Sequence, residues 1–241
     1  MSILVVGNAD NREEWLETRK GYLTASSIYA WRGPAYADKK NAWYFENTNR
    51  DTILAEKLHD AQPEFGEYAT VSMAHGSRDE VNILEKLGLA LNAEVEPTNR
   101  MFVNDRWPHL AATIDGVMDT PKALDDGEEL PHFCQDREGQ HALHDALREL
   151  EGPFVTEVKK SVSVGWARNE PPEYYICQVQ TQLAILEWDY GVLVAECIFT
   201  DPKEKWRKYW DLRPFLVERD PKWDRVLDKC NKEFALALGT C

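Results

Sequence analysis

The order of apolar and polar positions divides the chain into stretches with the period of a strand and stretches with the period of a helix. Residues 3–6 form a short apolar run ahead of a polar loop at 7–12. A helical segment then opens at Glu13, carries Trp15, Leu16 and Arg19, and stops at Gly21. Thr24 reads as the N-cap of a helix through Ile28, Tyr29 and Trp31, with Ser26 and Ser27 in its first turn, where backbone N–H groups favour an anion. An arginine beside such a turn makes a phosphate site; a capped helix with an exposed arginine is the plainer alternative. Residues 38–66 are polar and aromatic, with helical spacing at Thr52, Leu54 and Leu58 and a break at Pro63. Residues 68–91 predict a stronger helix on Val71, Met73, Val81, Leu84, Leu87 and Leu89, in which Gly76 and Glu80 share a face. Residues 95–103 are extended, 104–108 turn, and 110–118 form a strand that turns at Asp115-Gly116.

After the Gly152-Pro153 break, residues 154–160 alternate as a strand, with Phe154, Thr156 and Val158 on one face and Val155, Glu157 and Lys159 on the other. Glu157 and Lys159 therefore project side by side. An E-x-K pair is ordinarily a surface ion pair; the alternative is a metal ligand beside a cation that handles a nucleophile or a charged transition state. The second acid at Asp115 favours that alternative. Beyond a polar loop with Trp166, Pro171 and Pro172, residues 173–187 predict a helix whose stripe is Ile176, Val179, Leu183 and Leu186. Gln178 and Gln182 share another face of it, placed to hydrogen-bond a neighbouring backbone or a phosphate. Residues 190–199 are a dense apolar strand, 205–217 continue the sheet with Pro214 marking an edge or bulge, and 221–238 form a last helix.

Residues 119–151 break this pattern, being rich in Asp, Glu, Gly, Pro, His and Gln, with helical spacing only over 142–150. They read as a polar, acidic insertion at a hairpin tip, separating two strands expected to be neighbours. The spacings of His132, Cys134, His141 and His144 are compatible with zinc, but in so polar a segment they read as incidental. The length of 241 residues then suits one domain spanning 1–241, and the 43% apolar fraction argues for a folded core. Five widely spaced cysteines fit reduced thiols, and the absence of a signal-peptide pattern or long apolar stretch predicts a cytoplasmic protein away from membranes. A formal charge of −14 excludes a generic basic coat for nucleic acid, yet suits a nuclease with clustered carboxylates and cations gathered in one groove. An acidic protein mimicking DNA is disfavoured, because the acids are interleaved with bases and aromatics.

Taken in order, Trp15-x-x-x-Arg19-x-Gly21-x-x-Thr24-Ala25-Ser26, Gly76-x-x-x-Glu80, Asp115-Gly116, Glu157-Val158-Lys159 and Gln178-Val179-Gln180 resemble the phage lambda-type exonuclease, or YqaJ-like viral recombinase, branch of the PD-(D/E)XK nuclease superfamily. The resemblance runs from about residue 13 to the final helix, including residues 217–220 ahead of it. It implies an α/β (α+β) fold with a restriction-endonuclease-like core, a mixed central sheet flanked by helices. It also implies metal ligation by Asp115, Glu157, the Val158 carbonyl and Glu80, and a Lys159 that orients or deprotonates the attacking water. Arg19, Ser26, Thr113 and Gln178 match positions lining a pocket for a terminal 5′-phosphate. Asp115 and Glu157 sit on a tight hairpin in the lambda-type enzyme, whereas residues 119–151 intervene here.

Hard oxygen ligands point to Mg²⁺, with Mn²⁺ as substitute. The implied activity is 5′ to 3′ hydrolysis of duplex DNA ends by a homotrimer, in the host cytoplasm if phage-encoded, with a phage single-strand annealing protein as partner. Two other readings share these residues: a related nuclease of other polarity or endonucleolytic action, and a catalytically silent DNA-end-binding module.

Overall fold

The computed structural model describes residues 2–8, 11–34, 48–59, 67–161, 171–200 and 208–240; of residues 12, 59, 67–78, 161, 198–200 and 208–209 it describes the backbone alone. Helix α1 (Arg12–Lys20) is capped by Asn11 and closed by Gly21, with Glu13 and Glu14 in its first turn and Arg19 and Lys20 in its last, as the helix dipole favours. Strand β1 (Ile3–Asn8) precedes it, and β2 (Leu23–Thr24) follows. The next turn departs from expectation: Ala25–Ser27 is a 3₁₀ turn, and α2 (Ile28–Arg32) begins only at Ile28. Thr24 does not cap it through its side chain, because that hydroxyl is held among Arg19, Ser26 and Ser27 instead. Helix α3 (Arg50–His59) carries the spacing at Thr52, Leu54 and Leu58, whereas the expected break at Pro63 lies outside the described residues. Helix α4 (Glu67–Leu91) is the long helix foreseen on either side of Glu80, although the side chains at Val71, Met73 and Gly76 are not among those described.

The mixed sheet that the resemblance implies is divided into two, each flanked by helices. One has the order β1-β4-β5-β2, with β4 (Arg100–Asn104), β5 (Leu110–Thr113) and a parallel β2–β5 pair; the other has the order β3-β6-β7-β8-β9. In the second, β3 (Val95–Pro97), β6 (Gly116–Met118) and β7 (Phe154–Ser161) pair antiparallel, β7 runs parallel to β8 (Tyr190–Thr200), and β9 (Lys208–Glu218) closes the edge. Pro214 therefore sits on an edge strand, opposite Val194 in an unbroken register.

Helix α6 (Glu173–Leu186) packs against β4 and β5 of one sheet and β7, β8 and β9 of the other. Being enclosed on nearly every side, it buries Gln180, Thr181 and Gln182 together with its apolar stripe. Gln180 and Thr181 are bonded: the Gln180 amide donates to Glu218 O (2.7 Å) and its carbonyl accepts from Asp220 N–H (2.9 Å), while Thr181 donates to Cys177 O (2.8 Å). The last helix, α7 (Trp223–Leu238), packs Leu227, Cys230 and Phe234 against α2 and α6.

The segment 119–151 separates paired strands, as expected, but is more than a polar loop. Helix α5 (Arg137–Arg148) forms within it, capped by Asp136, and Leu130, Cys134, Gln140, His144 and Leu147 are buried. Gln140 donates to Ala90 O at the end of α4 (2.7 Å), Leu212 N–H of β9 donates to Phe133 O (3.0 Å), and Gln135 N–H donates to the buried Asp211 (2.8 Å). The segment thus covers part of the edge strand. Cys134 lies in the apolar core and His144 Nε2 lies 3.1 Å from Lys122 O, so these two serve packing rather than zinc. The four described cysteines are free and buried, and no described helix is long and apolar enough to cross a membrane.

At Gly116 a methyl group would meet Thr156 Oγ1 at 2.6 Å and Glu96 O at 3.1 Å, inside a paired strand that cannot easily give way. Gly116→Ala is expected to cost about 1–3 kcal/mol in urea denaturation; an unchanged midpoint would mean that β6 shifts freely.

Candidate active site

Gly116 faces Thr156 across the antiparallel β6–β7 pair, so the residue before one comes level with the residue after the other. Asp115 and Glu157 become neighbours by that register. Backbone bonds fix the crossing: Asp115 N–H donates to Thr156 O at 3.2 Å, and Val158 N–H donates to Asp115 Oδ2 at 2.8 Å. Because β7 is covered on both faces, Glu157 is only 2% exposed, unlike a surface carboxylate.

Three donors hold Glu157. Lys159, two residues along the same face, makes an ion pair with Oε1. Gln178 Nε2 donates to Oε1 at 2.6 Å, and Gln182 Nε2 to Oε2 at 2.5 Å. The expectation that glutamines so spaced bond a neighbouring backbone is met by Gln182, which also donates to Thr113 O at 2.8 Å. The Lys159 ammonium lies 4.9 Å from the centre of the Tyr175 ring.

The electrostatics follow from burial and like charge. Asp115 retains some solvent contact through the cleft, yet desolvation first, then Glu157 and Glu80, push its carboxyl well above the usual range against the opposing pull of Lys159 and the Val158 N–H. Glu80, arriving from α4, is raised by burial and by Glu157. Burial alone would lower Lys159, but Glu157 and Asp115 outweigh it and push the ammonium upward. In this state Lys159 keeps its proton, which suits orientation and charge stabilisation better than deprotonation of water.

The anion-receptive residues meet these groups in one cleft of about 340 Å³. Arg19 reaches it from α1, its guanidinium 4.6 Å from the Trp15 ring centre and donating to Thr24 Oγ1 at 3.3 Å. Burial lowers the Arg19 pKa, with Glu56 opposing. Ser26 and Thr113 line the same cleft, as does Gln178, whose amide is turned to Glu157. All eight side chains singled out in the sequence, and Val158, therefore open onto one space. Trp15, Thr24, Ala25 and Asn99 also line it. Asn99 belongs to no motif and arrives only because β3 pairs with β6; Gln182 was visible through its spacing from Gln178, though its partner was not.

Among the described residues no three Asp, Glu, His or Cys side chains converge closely enough to hold a metal ion, so Glu80 shares the cleft without completing a three-acid cluster with Asp115 and Glu157. The donor set nonetheless fits a hard divalent cation in kind. It offers carboxylate and carbonyl oxygens, and the burial and the repulsion from Glu157 that together raise Asp115 are what such a cation offsets.

An acid whose pKa is raised by folding contributes stability below its unfolded pKa and loses it as pH rises through the folded value. Asp115 therefore weakens the metal-free protein at neutral pH. Asp115→Asn is expected to raise the melting temperature at pH 7 in EDTA by on the order of 2–4 °C, an advantage that narrows as pH falls toward the ordinary aspartate value near 3.8. Equal melting temperatures at pH 7 would contradict a net penalty from burial and repulsion at Asp115.

Comparison with solved structures finds the same fold in an alkaline exonuclease, LHK-Exo, from Laribacter hongkongensis, at 16% identity and TM-score 0.56, covering 94% of this chain and 92% of that one. A structure of LHK-Exo in complex with dAMP is similar at 17% identity and TM-score 0.51, covering 94% and 91%. A phage-related exonuclease from Haemophilus somnus 129PT follows at 10% identity and TM-score 0.52, covering 91% and 95%. The fold is thus restriction-endonuclease-like, as the motif order implied. No curated protein matches the sequence. The family description "YqaJ-like viral recombinase domain" matches residues 14–189, well over half of the chain, and on that match the protein belongs to the YqaJ-like viral recombinase family.

Proposed function

We propose that this protein is a metal-dependent 5′ to 3′ exonuclease on duplex DNA ends, releasing mononucleotides and leaving 3′ single strands for recombination. The observation that carries the reading is a shared cleft. Asp115, Glu157 and Lys159 open onto the same space as Arg19, Thr24 and Ser26, so a hydrolytic centre and an anion pocket are contiguous. That a relative in fold, LHK-Exo, is found in complex with dAMP supports a cleft of this architecture receiving a nucleotide.

The proposed cofactor is Mg²⁺, replaceable by Mn²⁺, which Asp115, Glu157 and the Val158 carbonyl would hold, with Glu80 available to it from the same cleft. Bound there it supplies neutralisation of phosphate charge and a water acidic enough to attack. The chain's own groups do the rest. Lys159, which keeps its proton, stabilises charge at the reacting phosphate. Arg19, Ser26, Thr113 and Gln178, with Thr24 beside them in the cleft, receive a terminal 5′-phosphate, which anchors the strand end and places its first linkage beside the acids. Directionality on this reading comes from the pocket and hydrolysis from the carboxylates. A homotrimeric assembly and a single-strand annealing protein as partner are proposed with the activity.

The test is degradation of linear duplex DNA labelled at one end, bearing 5′-phosphate or 5′-hydroxyl termini, with Mg²⁺ or EDTA. Mg²⁺-dependent release of mononucleotides from phosphorylated 5′ ends is the expected result. Internal cuts or loss from 3′ ends would keep a nuclease and remove the pocket's role, and binding without cleavage in either Mg²⁺ or Mn²⁺ would leave only an end-binding module. In the same assay Lys159→Ala is expected to slow cleavage by on the order of 10²–10³-fold. Arg19→Ala should lower the preference for phosphorylated over hydroxyl ends by about 10- to 100-fold, the worth of one charged hydrogen bond; an unchanged preference would remove the pocket assignment.

A further inference from the structure

Gln182 occupies an unusual position for an uncharged side chain. It is wholly buried on α6, and its one amide nitrogen donates both to Glu157 Oε2 at 2.5 Å and to Thr113 O at 2.8 Å. Thr113 ends β5, two residues before Asp115, while Glu157 stands on β7. One amide therefore ties the run that carries the first acid to the side chain of the second. Among the described residues its own carbonyl oxygen, Oε1, finds no partner. Turning the amide over would aim that oxygen at a carboxylate and a carbonyl, so the two acceptors dictate the orientation.

From this geometry we infer that Gln182 is a positioning residue that sets the spacing of Asp115 and Glu157 and so their affinity for a divalent cation. The inference rests on the reading of the cleft as a metal-dependent nuclease. Chemistry explains the residue type. Lysine or arginine would also supply two N–H donors, but would add a second positive charge beside Glu157, which Lys159 already neutralises in part. A methionine would fill the space and hold nothing. Glutamine alone among side chains of this length restrains the carboxylate while leaving its charge for a cation. Gln178 differs in standing at the cleft, half-buried, with a single bond to Oε1.

The experiment measures Mn²⁺ affinity calorimetrically on the DNA-free protein, together with binding of 5′-phosphorylated duplex in EDTA. Gln182→Met is expected to weaken Mn²⁺ about 10- to 100-fold, the usual effect of removing a hydrogen-bond partner of a ligating group, with duplex binding changed less than about twofold. Thr181→Val serves as the control for mere disturbance of α6: it removes a buried hydroxyl that bonds Cys177 O and accepts from Trp223 Nε1, and should leave Mn²⁺ affinity as it was. If Gln182→Met does not fold, Gln182→Asn, which keeps the amide but withdraws it by one methylene, is read in the same way. Wild-type Mn²⁺ affinity in a folded Gln182 variant, or an equal loss in Thr181→Val, overturns the positioning role. No Mn²⁺ uptake by the wild type overturns the underlying reading of the cleft as well.

Discussion

Two carboxylates placed against each other by strand register are the constraint around which this structure is arranged. Asp115 and Glu157 come from residues far apart in the chain, and the β6–β7 pairing makes them adjacent. Adjacency of like charges in a covered position is unfavourable, and the pressure appears as the raised pKa of Asp115 and of Glu80. Each surrounding donor answers it: the Val158 N–H on Asp115, and Lys159, Gln178 and Gln182 on Glu157. Unfavourable electrostatics kept in place by a well-bonded scaffold are characteristic of sites that act on charged ligands.

The scaffold gives each part of the cleft its own support. The acids belong to the five-stranded sheet, whereas the anion-receptive turn follows β2 of the four-stranded one. These are not independent. β2 runs parallel to β5 with Thr24 beside Ala111, and the chain that leaves β5 carries Asp115 directly into β6. Helix α6 packs against both sheets and delivers the two glutamines to Glu157. A shift of either sheet relative to α6 would change the cleft at both ends, so rigidity of this helix is a condition of the site. The buried Gln180 bonds to Glu218 O and Asp220 N–H contribute to that rigidity.

The segment between the acids shows how composition misleads when apolar residues are few but well placed. Residues 119–151 are polar on average, yet Leu130, Cys134 and Leu147 reach the core, and Gln140 and His144 are buried because backbone carbonyls of distant segments accept from or abut them. Helix α5 also begins at Arg137, earlier than the spacing from Ala142 implies, because Asp136 caps it. Similarly, the hydroxyl of Thr24 has the chemistry of a cap, but Arg19, Ser26 and Ser27 compete for it once β2 pairs with β5.

Periodicity, glycine stops and the alternation around Glu157 were enough to place the helices at Arg12–Lys20, Glu67–Leu91, Glu173–Leu186 and Trp223–Leu238 to within a few residues. They also predicted the neighbouring strands on either side of residues 119–151. These are local properties: side chains three, four or two positions apart share a face whatever the rest of the chain does. The ordered motifs further named the side chains that now line one cleft. Only the tertiary structure decided that there are two sheets instead of one, that Asn99 joins the cleft, and that Gln182 bonds Glu157 and Thr113. Each depends on which strands pair and which helix covers them, and such long-range choices leave no period in the sequence to read.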